Sequence, residues 1–153
     1  MTQLNRRLVG FTPDGCFATV VLARIDPAFR SLHCVNAGHS PVFVLAPSGE
    51  VKACVESQTP PLGVERDAPS PVGQVVGLDP GDTVLLASDG LLGVRDPYGT
   101  AFGVEGLIGA VRAHLHAPPG VLIEVIHQAA LHHAGAEEFP PYDDSTVVIL
   151  RAV

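Results

Sequence analysis

The chain has 153 residues, 46% of them hydrophobic, with a formal net charge of −7. That is the length of one ordinary domain and a composition able to bury a core, which argues against a disordered chain. The acidic balance, with Arg6-Arg7 as its only basic doublet, argues against nucleic-acid binding, and no apolar run approaches the roughly 20 residues of a membrane span.

In chain order, residues 2–10 read as a short helical end, too short to cover a sheet. Residues 16–26 are rich in β-branched side chains and predict a strand closing at an Asp26-Pro27 turn. Strands follow over 31–38 and 41–55, the second a hairpin around Pro47-Ser48-Gly49. Residues 71–88 hold two more, divided by the turn Asp79-Pro80-Gly81-Asp82. Connections this short predict an antiparallel meander rather than parallel crossovers. The period then changes. Val104, Leu107, Ile108, Val111 and Leu115 recur at helical spacing over 104–117, and Leu122, Val125, Ile126, Ala129 and Ala130 do so over 119–136. The second helix opens at a proline and closes at Gly135. A loop and an apolar strand over 146–150 end the chain. The pattern predicts an α+β fold with helices on one face of the sheet. Without a repeat, a linker or a low-complexity run, residues 1–153 read as a single domain.

The N-terminus lacks the apolar core and cleavage site of a signal peptide, so a cytoplasmic protein is expected. Cys16, Cys34 and Cys54 form no C-x-x-C pair and sit among apolar neighbours. They are expected to be buried structural thiols.

Two carboxylate sites stand out. Asp89 ends the apolar run 83–87 after Ser88, and Asp143-Asp144 immediately precede the last strand. If those strands are antiparallel neighbours, the acids converge on one sheet edge. Clustered carboxylates repel unless a cation is present, and hard divalent ions such as magnesium or manganese suit carboxylate oxygen. The alternative is that Asp89-Gly90 is a strand-ending turn and Asp143-Asp144 cap a loop. Spacing alone leaves both readings open.

Five segments in order carry a resemblance: "FATVVLARID", "CVNAGHSPVFVL", "PPLGV", "LDPGDTVLLASDGLLGVRDPYGTAFG" and "YDDSTVVILR". From about residue 16 onward the chain resembles the catalytic domain of bacterial metal-dependent serine/threonine phosphatases of the type 2C superfamily. The branch is the one holding the sporulation stage II E and stress-response regulatory phosphatases. Its signature turns match Asn36-Ala37-Gly38-His39-Ser40-Pro41 and Pro61-Leu62-Gly63, and its metal motifs match Asp89-Gly90 and Asp143-Asp144-x-Thr146. The resemblance implies an antiparallel β-sandwich flanked by α-helices, with a pair of manganese or magnesium ions at one end of the sheets. It makes Asp89 and Asp143 metal ligands, and Asp144 a secondary ligand or an acceptor behind them. No catalytic residue stands apart from the metal site, and Gly90 and His39 lie beside it. The implied reaction is attack of a metal-activated water on phosphoserine or phosphothreonine, without a phosphoenzyme. The implied partner is a phosphorylated regulatory protein of the anti-sigma-factor antagonist type.

The sequence departs from that branch twice. The Asp-x-x-Gly-His-Gly metal motif is not found; Asp14-Gly15 occupies the place of a later strand-opening turn. The domain is therefore expected to be partial and N-terminally truncated, with helix 2–9 the tail of a longer helix. Leu92-Gly93 also stands where the branch carries Thr-Glu. With the two-metal centre incomplete, the isolated chain is expected to show weak or no phosphatase activity. The alternative function is a pseudophosphatase that binds a regulatory partner. Open sheet edges are expected to favour a homodimer.

Other candidates read as structural. His39 lies in a tight turn, where it bonds local backbone. His114, His116, His127, His132 and His133 give no i, i+4 zinc pair and read as solvated helix residues. Ser88 has no Gly-x-Ser-x-Gly frame, which argues against a serine nucleophile.

Overall fold

The computed structural model describes residues 1–11, 13, 15–136 and 144–153. Its elements run α1 (Thr2–Phe11), β1 (Val20–Asp26), β2 (Ser31–Ala37), β3 (Val42–Leu45), β4 (Val51–Val55), β5 (Gln74–Gly77), β6 (Thr83–Ala87), α2 (Asp89–Leu92), α3 (Gly103–Arg112), α4 (Pro119–Ala134) and β7 (Val147–Arg151). Among the described residues, no helix is long and apolar enough to cross a membrane. The chain forms two compact units, Met1–Pro41 with Ala53–Asp79, and Val42–Lys52 with Pro80–Val153.

In the first unit, β2 lies between β1 and β5, antiparallel to both. Alternation sets its buried face: Leu32, Cys34 and Asn36 are fully buried, while His33 and Val35 between them are half-buried. The β1–β2 hairpin turns at Asp26, whose carboxylate accepts the Ala28 and Phe29 N–H groups at 3.2 and 3.3 Å. Helix α1 is tied down by one buried amide. Asn5 donates to the carbonyls of Glu65 and Arg66 at 2.7 and 3.2 Å and accepts the Gly63 N–H at 2.9 Å.

The turn after β2 is built by another buried amide. Asn36 donates to the His39 and Ser40 carbonyls, both at 3.1 Å, and accepts the His39 N–H at 3.0 Å. Gly38 takes φ +72°, and a Cβ there would run into the ring and backbone of Pro61. The turn therefore needs both Asn36 and Gly38.

In the second unit the sheet order is β4-β3-β6-β7, with β6 antiparallel to β3 and β7. One sheet face presents Phe43, Leu45, Leu85, Ala87 and Ile149. Against it pack Leu107, Ile108 and Val111 of α3 and Leu122, Ile126 and Ala130 of α4, which are the i, i+3, i+4 stripes of those helices. Each of the leucine, isoleucine and valine side chains among them, taken fully from water, contributes about 1.5–3 kcal/mol. Helix α4 opens with Pro119 in its first turn and stops at Gly135, which takes the left-handed conformation at φ 63°. Arg112 donates to the Gly49 carbonyl at 2.8 Å, and Arg151 to the Ala117 and Leu115 carbonyls at 2.8 and 2.9 Å. These bonds hold the α3–α4 connection to the sheet.

The α+β class and the antiparallel pairing stand as expected, but the meander does not. The chain leaves the first sheet after β2, builds β3 and β4 of the second, returns for β5 and crosses again to β6. Short connections dictate antiparallel neighbours only where consecutive strands pair, and the Asn36 turn and the long segment 56–73 both change sheets. The cysteines are corrected too. Cys34 is buried, but Cys16 and Cys54 are exposed. Cys16 precedes β1 rather than lying in it, and Cys54 falls on the outward phase of β4.

Candidate metal centre

Strand β6 is almost wholly buried, and its last residue, Ala87, pairs with Val147, the first of β7. The strand ends there because Ser88, in extended conformation and with no capping bond from its side chain, is the N-cap residue of the single-turn helix α2 (Asp89–Leu92). Sequence reading missed α2, since one turn leaves no periodic trace. It is pinned by the fully buried Leu91 and closed by the Gly93 N–H donating to the Asp89 carbonyl at 2.7 Å. A Cβ on Gly93 would lie 2.9 Å from that oxygen, so glycine is needed there. The Leu92-Gly93 pair thus has a local reason: it builds the turn that presents Asp89.

Beyond the last ladder pair, Ser88 takes over. Its N–H donates to the Thr146 carbonyl at 2.9 Å. Its hydroxyl donates to the Asp144 carbonyl at 3.2 Å and accepts the Thr146 N–H at 2.9 Å. The strands are antiparallel neighbours, and the end of β6 carrying Asp89 lies beside the segment carrying Asp144. Both aspartates are solvent-exposed, and Gly90 follows Asp89 inside α2, half-buried.

Asp143 lies outside the described residues. Among those described, no three His, Cys, Asp or Glu side chains gather as a metal cluster. The two stretches of chain that come together at this strand end each carry an exposed carboxylate, Asp89 and Asp144, and oxygen donors of that kind suit a hard divalent cation that keeps part of its water shell. They do not fit zinc, whose usual partners are nitrogen and sulfur.

The histidines divide. His39 makes local bonds, its N–H to Asn36 and its Nδ1 to the Ser40 carbonyl at 3.0 Å. His114 and His116 lie past the end of α3 rather than on a helix. His127 and His133 are half-buried and bonded, not merely solvated. His127 Nε2 shares a hydrogen bond with Ser145 Oγ at 3.2 Å, and His133 Nε2 meets the Thr100 carbonyl at 3.0 Å while packing edge-on to Phe102. Ser88 and His127 were the residues that the sequence did not single out for the site. Only the folded chain shows which segment they touch, Ser88 from the end of β6 and His127 from α4.

A family model, that of stage II sporulation protein E (SpoIIE), matches residues 1–153. Protein IcfG of Synechocystis sp. is 30% identical over 133 residues, covering 86% of this chain and 20% of that protein. Among solved structures, the SiaA-PP2C domain of Pseudomonas aeruginosa superposes with a TM-score of 0.74 at 23% identity, covering 87% of this chain and 51% of that one. The manganese-presoaked phosphatase domain of the cell-fate determinant SpoIIE from Bacillus subtilis gives 0.68 at 18% identity, covering 94% and 61%. The chain therefore spans a fifth of the curated relative and about half of the SiaA domain. The two antiparallel sheets with their helices are the PP2C phosphatase fold.

Proposed function

The chain belongs to the stage II sporulation protein E family of PP2C-type phosphatase domains, and from that premise we propose that it acts in metal-dependent hydrolysis of phosphoserine or phosphothreonine on a regulatory protein. The anti-sigma-factor antagonist type is the partner class we assign. Asp89 and Asp144, with Asp143, are the residues that would hold manganese or magnesium. Bound there, such cations supply a water of lowered pKa and positive charge for the phosphoryl oxygens. That charge answers a difficulty of composition, because a chain of net charge −7 repels a phosphorylated partner. The observation that carries the reading is the β6–β7 register, which sets the Asp89 strand end beside the Asp144 segment.

A second reading, a non-catalytic module that binds the same regulatory protein, draws on Leu92-Gly93 in place of Thr-Glu. One experiment separates the two. The purified chain and Asp89→Asn are given a phosphoserine peptide with millimolar manganese, and phosphate release is followed beside manganese binding. Slow, manganese-dependent hydrolysis that Asp89→Asn abolishes is the expected result. Manganese binding without turnover would move the conclusion to the binding module. Hydrolysis that needs no metal, or that survives Asp89→Asn, would overturn the metal reading.

A further inference from the structure

The segment 144–146 is held from two sides. From the strand side, Ser88 alone supplies three bonds: its N–H to the Thr146 carbonyl at 2.9 Å, and its hydroxyl to the Asp144 carbonyl at 3.2 Å and the Thr146 N–H at 2.9 Å. From the helix side, His127 in the third turn of α4 reaches Ser145 Oγ at 3.2 Å. Ser88 is also the residue immediately before Asp89. One side chain therefore links the two stretches of chain that carry the carboxylates.

Stability alone does not explain these bonds. The backbone bond from the Ser88 N–H to Thr146 would form equally with alanine at this position. Asp144 and Thr146 are exposed, so water would satisfy their backbone groups if the hydroxyl were absent. What the hydroxyl adds is a fixed conformation beyond the last ladder pair. Carboxylate oxygens must stand close to a magnesium-sized ion at a nearly fixed distance, so the backbone that carries them has to be held.

We propose that Ser88 and His127 are positioning residues that set the Asp144 segment against Asp89 and thereby the affinity of this edge for a divalent cation. The inference rests on the metal reading above. It also makes α4 part of the site's support, since His127 is anchored between Ile126 and Ala130 of the buried helix face.

The test is manganese binding by the purified chain, read from loss of the free-ion electron paramagnetic resonance signal, with melting followed in metal-free buffer. The variants are Asp89→Asn, Ser88→Ala, Ser88→Thr and His127→Ala. Ser88→Ala and His127→Ala are expected to weaken manganese binding about tenfold or more, the range found for outer supports of metal ligands. Ser88→Thr keeps the hydroxyl and is expected to bind nearly as the wild type does. Metal-free melting should change little in Ser88→Ala. Wild-type affinity in both Ser88→Ala and His127→Ala, while Asp89→Asn still weakens binding, would overturn the positioning role and leave the metal reading standing. A lowered metal-free melting temperature with unchanged affinity would mark a merely structural role and overturn it equally. Equal binding by wild type and Asp89→Asn would remove the metal reading, and this inference with it.

Discussion

Asp96 shows how one carboxylate orders a loop. Its Oδ1 accepts the Thr100 N–H at 2.8 Å and the Tyr98 N–H at 2.9 Å, closing the turn that follows the buried Val94. The Thr100 bond first, then the Tyr98 bond, with the charge of His133 adding, hold the carboxyl below the usual aspartate range. A carboxylate with a depressed pKa in the folded chain stabilises above its unfolded pKa, and that contribution is lost as pH falls through the lowered folded value. The Tyr98 and Thr100 amide resonances should therefore hold steady through the ordinary aspartate range and shift only at more acidic pH. If they moved together with those of an unrestrained aspartate, the loop would not depend on this carboxylate. Ser88 and Asn36 teach the same lesson. Each is a small polar residue common in turns, and its role lies in partners that the sequence does not identify.

Among the elements, α3 allows a paired prediction from two glycines on one helix. A Cβ on Gly106 would come within 2.5 Å of the Phe102 ring, whereas Gly109 has nothing within 4 Å. Alanine favours a helix interior over glycine by about 1 kcal/mol. Gly109→Ala should thus stabilise by roughly 0.5–1 kcal/mol in urea melts, while Gly106→Ala, forcing the buried Phe102 aside, should cost about 1–3 kcal/mol. Two variants shifting in the same direction would count against this account of α3. The same helix was legible in the sequence because Leu107, Ile108 and Val111 repeat with its period, as were α4 with its proline start and glycine stop. The strands were legible from their β-branched runs and turn residues. Which strand pairs with which was not, because alternation fixes a strand's two faces but names no neighbour. The Asp89 and Asp144 juxtaposition was readable only conditionally, on the pairing of β6 with β7. Helix α2 was too short for periodicity, and the exposure of Cys16 and Cys54 followed from strand boundaries and phase that composition does not carry.

At the scale of the whole molecule, the sheet edges differ in how well they are guarded. Strand β1 carries Arg24 and Asp26, and β4 carries Lys52, charges that discourage a foreign strand. Strand β7, Val147-Val148-Ile149-Leu150-Arg151, has no charge before its last residue, and Arg151 is turned onto the Ala117 and Leu115 carbonyls. It closes the order β4-β3-β6-β7, so among the described residues it has a strand neighbour on one side only. Val148 and Leu150 are 43% and 37% exposed on the face opposite Ile149. An apolar strand with an open edge is a template for pairing, and the chain should self-associate through β7 as its concentration rises. In light scattering, the wild type is expected to gain mass with concentration, and Val148→Lys to remain monomeric at the same loading. Leu22→Lys on the charged edge β1, where Leu22 is 59% exposed, serves as the control and should behave as the wild type does. Relief of association by the β1 substitution but not by the β7 one would reassign the edge. A wild type that stays monomeric at high concentration would mean that Arg151 and the short length of β7 already guard it.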